Sequence, residues 1–151
     1  MSDFRPVTPT LSVAPQISAD DIADAVDQGY TLIINNRPDG EEGSQPTNAS
    51  LAAVAEAKGI KWAHIPVVGG ELTLDAIEQL SYALKDTDEN KDAKVLAFCR
   101  SGTRSCTLWA LSQAYTGSAP VETIINSAGV AGYDIANFAP TLAHLYKNAT
   151  S

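Results

Sequence analysis

The sequence contains too few cysteines for a fold held together by disulfide bonds. Cys99 and Cys106 are its two cysteines in 151 residues, whereas small secreted domains depend on several pairs. Its two cysteines and two histidines are scattered without ligand spacing, so the sequence predicts no metal site. It also lacks the glycine fingerprints of dinucleotide and P-loop sites, so we expect no cofactor. A reducing, cytoplasmic setting is expected, because free thiols persist there.

Positive charge is scarce as well. Ten Lys and Arg stand against eighteen Asp and Glu, which gives a formal net charge of −8. Nucleic acids and anionic membrane surfaces favour clustered positive charge, so we expect neither as a partner. No apolar run approaches the ~20 residues that span a bilayer. The first residues also lack the charged-then-apolar pattern of a signal peptide.

Apolar runs and helical patterns alternate along the chain, which indicates an α/β fold. Apolar runs at residues 30–34, 60–66 and 94–98 predict strands, and a shorter run at 11–13 predicts a short edge strand. Helical spacing in the intervening segments predicts a central, mainly parallel sheet with right-handed crossovers and helices on both faces.

The length of the chain suits one domain with a substantial core. Residues 1–10 are polar and contain two prolines, so they are predicted to form a loose N-terminal arm. Residues 11–151 are predicted to form a single α/β domain. Towards the end of the chain, residues 121–126 and 141–146 predict two short helices, separated by glycines such as Gly129.

The chemistry of the chain is concentrated around Cys99. The apolar residues Val95–Phe98 predict a buried strand, and a helical pattern begins at Cys106. Cys99 is therefore expected at the end of a strand, in a loop that leads into the N-terminus of a helix. Such N-termini attract anions, and the pKa of a thiol falls near them and near cations.

The loop that follows Cys99 combines charge, hydroxyl groups and a glycine. Arg100 and Arg104 supply fixed positive charge, and the planar guanidinium of Arg104 suits an oxyanion. Gly102 allows the backbone to approach a ligand closely. We predict catalytic roles for Cys99, Arg104 and Ser105, and substrate-binding roles for Arg100, Ser101, Gly102 and Thr103.

Two simpler interpretations stand beside this one. A free cysteine is often only a small buried residue of the core, and a non-catalytic module that binds anions would keep the same loop. Two arginines, hydroxyl groups and a glycine within five positions of Cys99 have no packing rationale, which favours an enzyme. Cys106 is interpreted as a small buried helix residue, with a resolving cysteine as the alternative.

A second polar loop follows the strand predicted at residues 30–34. It stands at the carboxyl end of a parallel strand, where open α/β sheets bind their ligands. We therefore predict Arg37 and Asp39 as substrate-binding residues, with a solvated connection as the alternative. His64 stands within a strand pattern and is interpreted as structural.

The two loops together resemble a known family. Cys99–Ser105 is similar to the active-site loop of cysteine-dependent phosphatases and of rhodanese-type sulfurtransferases. With the stretch Ile33–Glu42, which reads Ile-Ile-Asn-Asn-Arg-Pro-Asp-Gly-Glu-Glu, it resembles the beta-lactamase-hydrolase-like, phosphatase-like domain family. The resemblance runs from about Leu11 to Ala114. It implies a protein-tyrosine-phosphatase-like fold and either phosphatase or sulfurtransferase activity.

The length of the loop favours sulfur transfer. The phosphatases that the loop resembles have five residues between the cysteine and the arginine, whereas four residues separate Cys99 from Arg104 here. One residue fewer removes up to ~3.5 Å of chain. The ring of backbone N–H groups should therefore be smaller, which suits a persulfide sulfur better than a phosphoryl group.

A missing general acid points the same way. Phosphatases of this fold resemble one another in an aspartate just after an Ile-Pro-Val strand end, and general acids speed reactions about 10²–10⁴-fold. Here residues Ile65–Gly70 contain no carboxylate, which leaves Asp39 and Glu71 as candidates. Phe98 also stands where the phosphatase pattern has histidine.

The sequence thus predicts an enzyme that transfers sulfur through a Cys99 persulfide. Its substrate would be a small anion, such as thiosulfate or a persulfide donor, and its acceptor a thiol. Hydrolysis of phosphoesters through a phosphocysteine at Cys99 is the alternative, and anion binding without catalysis is the third possibility.

Overall fold

A five-stranded sheet forms the centre of the molecule. The structure, a computed structural model, describes residues 2–89 and 92–151. The strand order is β1-β2-β5-β3-β4, in which β1 is antiparallel to β2 and the other pairs are parallel. The mainly parallel sheet is therefore confirmed. Its strands are β1 (Arg5–Pro6), β2 (Leu11–Ala14), β3 (Leu32–Asn35), β4 (Lys61–His64) and β5 (Val95–Phe98).

Six α-helices surround the sheet within the described residues. They are α1 (Ala19–Asp27), α2 (Asn48–Ala57), α3 (Leu74–Glu89), α4 (Thr103–Tyr115), α5 (Val121–Val130) and α6 (Ala139–Thr150). A 3₁₀ turn at Ala136–Phe138 leads into α6.

The predicted break at Gly129 is wrong, because α5 continues through this residue. Ile124 and Ala128 are buried in the core on the same helix. Their packing offsets the ~1 kcal/mol by which a glycine disfavours a helix interior. The local sequence does not show that α5 packs against the core, so the glycine suggested that the helix ends too early.

The residues of β5 alternate between two cores. Val95 and Ala97 belong to the cluster that includes residues of α3, α4, α5 and α6. Leu96 and Phe98 belong to the opposite cluster, with residues of α1 and α2. All four side chains are buried, as expected for the central strand of a parallel sheet. The alternation confirms the α/β fold with helices on both faces.

The first residues contact the sheet at its edge. Arg5 and Pro6 pair with Val13 and Ser12 of β2, and Val7 is buried. The strand at residues 11–13, predicted as an edge strand, is therefore not at the edge, because β1 lies outside it. The boundary between an N-terminal arm at residues 1–10 and a domain at residues 11–151 stays a prediction. Within the described residues, no helix is both long and apolar enough to cross a membrane.

Candidate active site

Cys99 lies directly after the central strand and before the central helix. β5 ends at Phe98, and α4 begins at Thr103. The Cys99 N–H donates to the Ala14 carbonyl at 3.3 Å, which extends the pairing of β5 with β2 by one residue. The side chain is fully buried. The predicted position, between a strand end and a helix N-terminus, is therefore confirmed.

Gly102 turns the loop so that its backbone faces the sulfur. Its φ of 93° lies in the left-handed region that favours glycine. In this conformation the Gly102 N–H donates to Cys99 Sγ at 3.0 Å. A Cβ at this position would lie 2.1 Å from Tyr133 Oη, so the space excludes a side chain as well. The sulfur therefore lies against a backbone donor at the start of α4.

Arg104 is held beside the loop by a carboxylate that the sequence analysis did not single out. Its Nη1 donates to Glu41 Oε2 at 2.7 Å and to the Val67 carbonyl at 2.7 Å, and its Nη2 donates to Glu41 Oε1 at 2.8 Å. The hydrogen bond with Glu41 raises the pKa of Arg104, and the nearby Cys99 raises it further. The guanidinium is thus fixed between the thiol and a resident carboxylate.

Glu41 joins two arginines. Its Oε1 also accepts from Arg37 Nε at 2.9 Å. The hydrogen bond from Arg104, with that from Arg37, lowers the pKa of Glu41 to about 2. The carboxylate is therefore ionised at neutral pH and has no proton to donate to a leaving group.

Arg37 lies in the same network, but its donors are already engaged. Its side chain is 3% exposed, and Nη2 donates to Glu42 Oε1 at 2.7 Å while Nη1 donates to Gln16 Oε1 at 2.9 Å. The predicted substrate-binding residue therefore contacts Arg104 through Glu41. It orders the second loop in this structure rather than presenting a free guanidinium.

Asp39 is directed to a helix instead of the Cys99 loop. Its Oδ1 accepts from the backbone N–H of Asn48, the first residue of α2, at 2.8 Å. A carboxylate there complements the positive end of the helix. Of the two residues predicted in the second loop, Arg37 binds Glu41 and so belongs to the hydrogen-bond network of Arg104. Asp39 does not, so the structure does not place both residues at the thiol.

The hydroxyl groups of the Cys99 loop bind other partners than the sulfur. Ser105 Oγ donates to Asn36 Oδ1 at 2.8 Å, and both residues are buried. Ser101 Oγ donates to Thr103 Oγ1 at 3.1 Å on the exposed side of the loop. Ser105 therefore attaches the start of α4 to the end of β3. Asn36, which sequence reasoning missed, stands one residue before Arg37.

Arg100 is the most exposed cation of the loop. Its side chain is 68% exposed, and Nε lies 3.1 Å from Glu42 Oε1. Glu42 thereby joins Arg100 to Arg37, much as Glu41 joins Arg104 to Arg37. Both glutamates belong to the stretch that carries the family resemblance, but sequence reasoning assigned neither of them a role. Glu41 and Glu42 stand four and five positions after Arg37, and this spacing of opposite charges was the available signal for the ion pairs.

Cys106 and His64 have structural positions. Burial raises the pKa of the Cys106 thiol to about 12, and the nearby Cys99 adds to the rise. A thiol of this kind is inert at neutral pH, which favours the interpretation as a buried helix residue. His64 Nε2 lies 3.2 Å from the Arg37 carbonyl, in agreement with a structural role.

Tyr133 contacts the loop from the far end of the chain. Its Oη donates to the Ser101 carbonyl at 3.0 Å and accepts from Arg5 Nη1 at 2.9 Å. Sequence reasoning missed both residues because 32 and 128 positions separate these partners, and no local pattern connects them.

Comparison with known proteins matches this arrangement to one family. Residues 3–116 match the model of the phosphatase-like domain of beta-lactamase hydrolase-like proteins. The beta-lactamase hydrolase-like protein of Xylella fastidiosa is 33% identical over 125 residues, which is 83% of this chain and 28% of that protein. Its counterpart from Agrobacterium fabrum has the same identity and coverage. The chain thus spans less than a third of the curated relatives that it matches.

Solved structures agree on the fold. A provisionally assigned phosphatase from Neisseria meningitidis is 30% identical, with a TM-score of 0.77 over 96% of this chain and 99% of that one. PTPMT1 in complex with PI(5)P is 15% identical, with a TM-score of 0.73 over 97% of this chain and 96% of that one. The fold expected from the family resemblance, that of protein tyrosine phosphatases, is confirmed.

Proposed function

Since the chain belongs to the phosphatase-like domain family of beta-lactamase hydrolase-like proteins, we propose that it is a cysteine-dependent phosphatase that hydrolyses small phosphoesters. The comparisons favour this alternative over the sulfur transfer that the sequence ranked first. The matching family model describes a phosphatase-like domain, and the Neisseria meningitidis relative is provisionally assigned as a phosphatase.

One observation carries the proposal. Cys99 Sγ accepts the Gly102 N–H at 3.0 Å at the first turn of α4, and Arg104 is close enough for its pKa to respond to the thiol. A backbone donor, a helix N-terminus and a guanidinium all favour a thiolate and a bound oxyanion. Cys99 is therefore the nucleophile, and Arg104 binds the oxygens of the transferred group.

The reaction has two steps. In the first, the Cys99 thiolate attacks phosphorus, the S–P bond forms, and the P–O bond to the leaving group breaks with its electron pair. In the second, water attacks phosphorus, the S–P bond breaks, and inorganic phosphate leaves with the thiolate restored. Arg104 stabilises the charge on the equatorial oxygens in both steps, once Glu41 has moved off its guanidinium.

The leaving group receives little help. Glu41 is the carboxylate beside Arg104. Its pKa is about 2 in this pair, and the ordinary value of 4.5 would still leave it ionised at neutral pH once it has moved off the guanidinium. Asp39 binds Asn48, and Val68, in the loop after Ile65, has no proton to give. Glu71, the other candidate acid, is exposed three residues beyond Val68, where its backbone N–H closes a turn onto the Val68 carbonyl at 3.0 Å. The proposed substrates are therefore phosphoesters whose leaving groups depart without protonation, such as acidic phenols. A cytoplasmic setting remains part of the proposal, because the nucleophile is a free thiol.

Sulfur transfer is the second candidate, and the same ionised Glu41 favours it. In this reaction the Cys99 thiolate attacks the outer sulfur of thiosulfate, an S–S bond forms, and sulfite leaves with the electron pair of the broken bond. An acceptor thiolate then attacks the outer sulfur and restores Cys99. Sulfite departs without a general acid, and four residues between Cys99 and Arg104 suit this smaller group.

A paired assay tests the proposal. The reduced protein and Cys99→Ser are compared for turnover of p-nitrophenyl phosphate and for mass after exposure to thiosulfate. Turnover by the native chain, lost in Cys99→Ser, is the expected result. A Cys99-dependent gain of one sulfur atom, transferable to a thiol and without phosphate release, would replace phosphatase by sulfurtransferase. Neither product would reject both reactions and leave anion binding.

A further inference from the structure

The peptide unit between Ser101 and Gly102 is bound at both of its ends. Its carbonyl, on Ser101, accepts from Tyr133 Oη at 3.0 Å. Its N–H, on Gly102, donates to Cys99 Sγ at 3.0 Å. Because a peptide unit is planar, the direction of the carbonyl fixes the direction of the N–H. The hydroxyl of Tyr133 thus holds the donor that faces the sulfur.

Arg5 extends the chain of hydrogen bonds by one member. Its Nη1 donates to Tyr133 Oη at 2.9 Å, and its guanidinium carbon lies 5.4 Å from the centre of the ring. A donor to the phenol oxygen makes the phenol a stronger donor in turn, and such chains gain roughly 10–30% in strength per bond. Arg5 Nε and Nη2 also donate to the carboxylate of Asp3, at 3.1 Å and 2.7 Å, so it is an ion pair that is coupled to the Gly102 N–H through Tyr133.

Tyr133 also fills the space beside this peptide. It is 6% exposed, and its hydroxyl and ring occupy the volume where a Gly102 Cβ would be. A glycine with a φ of 93° has access to other conformations, and the packed hydroxyl selects the one observed. Tyr133 stands after α5, beyond residue 116, where the match to the family ends.

We propose that Tyr133 is a positioning residue for the nucleophile. With Arg5, it orients and polarises the Ser101–Gly102 peptide so that the Gly102 N–H stabilises the Cys99 thiolate. The inference rests on the proposed function only in taking Cys99 as the nucleophile, and it applies equally to phosphoryl and to sulfur transfer.

Alkylation of Cys99 measures the effect without any substrate. The rate with iodoacetamide is followed against pH, and the modified peptide is identified by mass so that Cys106 is counted separately. Tyr133→Phe removes the hydroxyl and keeps the ring. One hydrogen bond fewer to the peptide should move the midpoint of the profile to higher pH by about half a unit to one unit. Because Cys99 is fully buried, the plateau rate at high pH measures the access of the reagent, and the rate below the midpoint should fall about three- to tenfold relative to that plateau.

Tyr30→Phe is the matched control. Tyr30 is also 6% exposed, its hydroxyl also makes a buried hydrogen bond, to Ser12 Oγ at 2.8 Å, and a cation, Lys94, also lies over its ring. The same chemical change there leaves the Cys99 loop untouched. Its alkylation profile should coincide with that of the native chain, which separates a loss of packing from a loss of the positioned donor.

Arg5→Gln provides an independent variant, because it leaves Tyr133 in place. It should move the midpoint in the same direction as Tyr133→Phe and by less. Profiles that coincide with the native one for folded Tyr133→Phe and for Arg5→Gln would overturn the inference, and if Tyr133→Phe does not fold, Arg5→Gln alone decides. Absence of phosphate release by the native chain would count against the proposed function and leave this result intact.

Discussion

Glu41 binds Arg104 in the way that an oxyanion substrate would. Its two oxygens accept from Nη1 at 2.7 Å and from Nη2 at 2.8 Å, a bidentate geometry that matches carboxylate and phosphate alike. Cys99 is fully buried beneath this arrangement. In the proposed reaction, an incoming phosphoryl group has to displace Glu41 from the guanidinium before Cys99 can react. Glu41 would then be both a partner that orders Arg104 and a competitor of the substrate.

Removing the charge of Glu41 should strengthen anion binding. In Glu41→Gln the amide binds Arg104 more weakly than a carboxylate does, so less interaction is lost when an anion enters. Partly exposed ion pairs are worth about 0.2–1 kcal/mol, which corresponds to an affinity for inorganic phosphate up to about fivefold higher. Phosphate binding is measured calorimetrically in a Cys99→Ser background, so that no covalent step contributes.

Glu42→Gln is the control for this comparison. Glu42 forms ion pairs with Arg37 and Arg100, whereas the ion pair of Arg104 is with Glu41. It carries the same charge in the same loop, so a general effect of charge should appear in both variants. A phosphate affinity in Glu41→Gln equal to or below that of Glu42→Gln would contradict the displacement of Glu41.

The position of Glu41 could not be derived from the sequence, although that of Cys99 could. Val95–Phe98 is a local apolar run, and the loop chemistry follows it directly, so the strand, the position of Cys99 and a following helix were predicted. The helix begins at Thr103, three residues before the start that the pattern at Cys106 indicated. The pair of Glu41 and Arg104 joins residues 63 positions apart. It depends on how β3 and β5 pair, which brings their following loops together. Local sequence patterns do not show which strands pair.

Glu41 should also make stability depend on pH. Its pKa lies at about 2, below the ordinary value of 4.5, chiefly because Arg104 donates a hydrogen bond to it. A lowered pKa means that the ionised form stabilises the folded chain above pH 4.5, and that this contribution is lost as the pH falls from 4.5 towards 2. Urea unfolding of the native chain and Glu41→Gln measures it from neutral to acid pH.

The difference in free energy of unfolding between these two chains should be largest at neutral pH and shrink towards zero in acid. Glu56→Gln, at an exposed position on α2, controls for the loss of one negative charge. A difference that stayed constant across the whole range would show that the Glu41 carboxylate makes no pH-dependent contribution.

Gly102→Ala should damage the loop more than the same change at another glycine. The new methyl group would meet Tyr133 Oη at 2.1 Å and the φ of 93° would be strained, so we expect a loss of about 1–3 kcal/mol in stability. Gly29→Ala is the control, because its φ is 88° and nothing lies within 4 Å of the added atom. Thermal unfolding compares the two, and equal losses would mean that Tyr133 moves aside at no cost.

Contacts between distant parts of the chain also decide how the residues around the Cys99 loop are arranged, and local sequence patterns do not show these contacts. Gly102 was predicted because glycine marks a close approach of the backbone, but what approaches it, Tyr133, belongs to a segment 32 positions later than its partner Ser101. Asp39 was predicted to face the thiol because it follows β3, whereas it binds the start of α2 nine positions further on. The chemistry of the loops was visible in the sequence, but the directions of their side chains were not.

The hydrolysis of aryl phosphates should depend steeply on the leaving group. Because Glu41 is ionised, a basic phenol departs as a phenolate without a proton, and its hydrolysis is slow. A series of substituted phenyl phosphates measures this, and p-nitrophenyl phosphate should be turned over much faster than phenyl phosphate. Equal rates along the series would mean that a proton donor already acts at the site.

Val68→Asp tests the same point by supplying an acid. Val68 is 61% exposed and stands next to Val67, whose carbonyl binds Arg104. An aspartic acid there should raise the turnover of phenyl phosphate, by up to about 10²-fold if it is aligned, and should change p-nitrophenyl phosphate little. Val68→Asn has the same shape without a proton to donate, so it should leave the steep dependence unchanged. A rise with Asn equal to that with Asp would assign the effect to the polarity of the loop and not to acid catalysis.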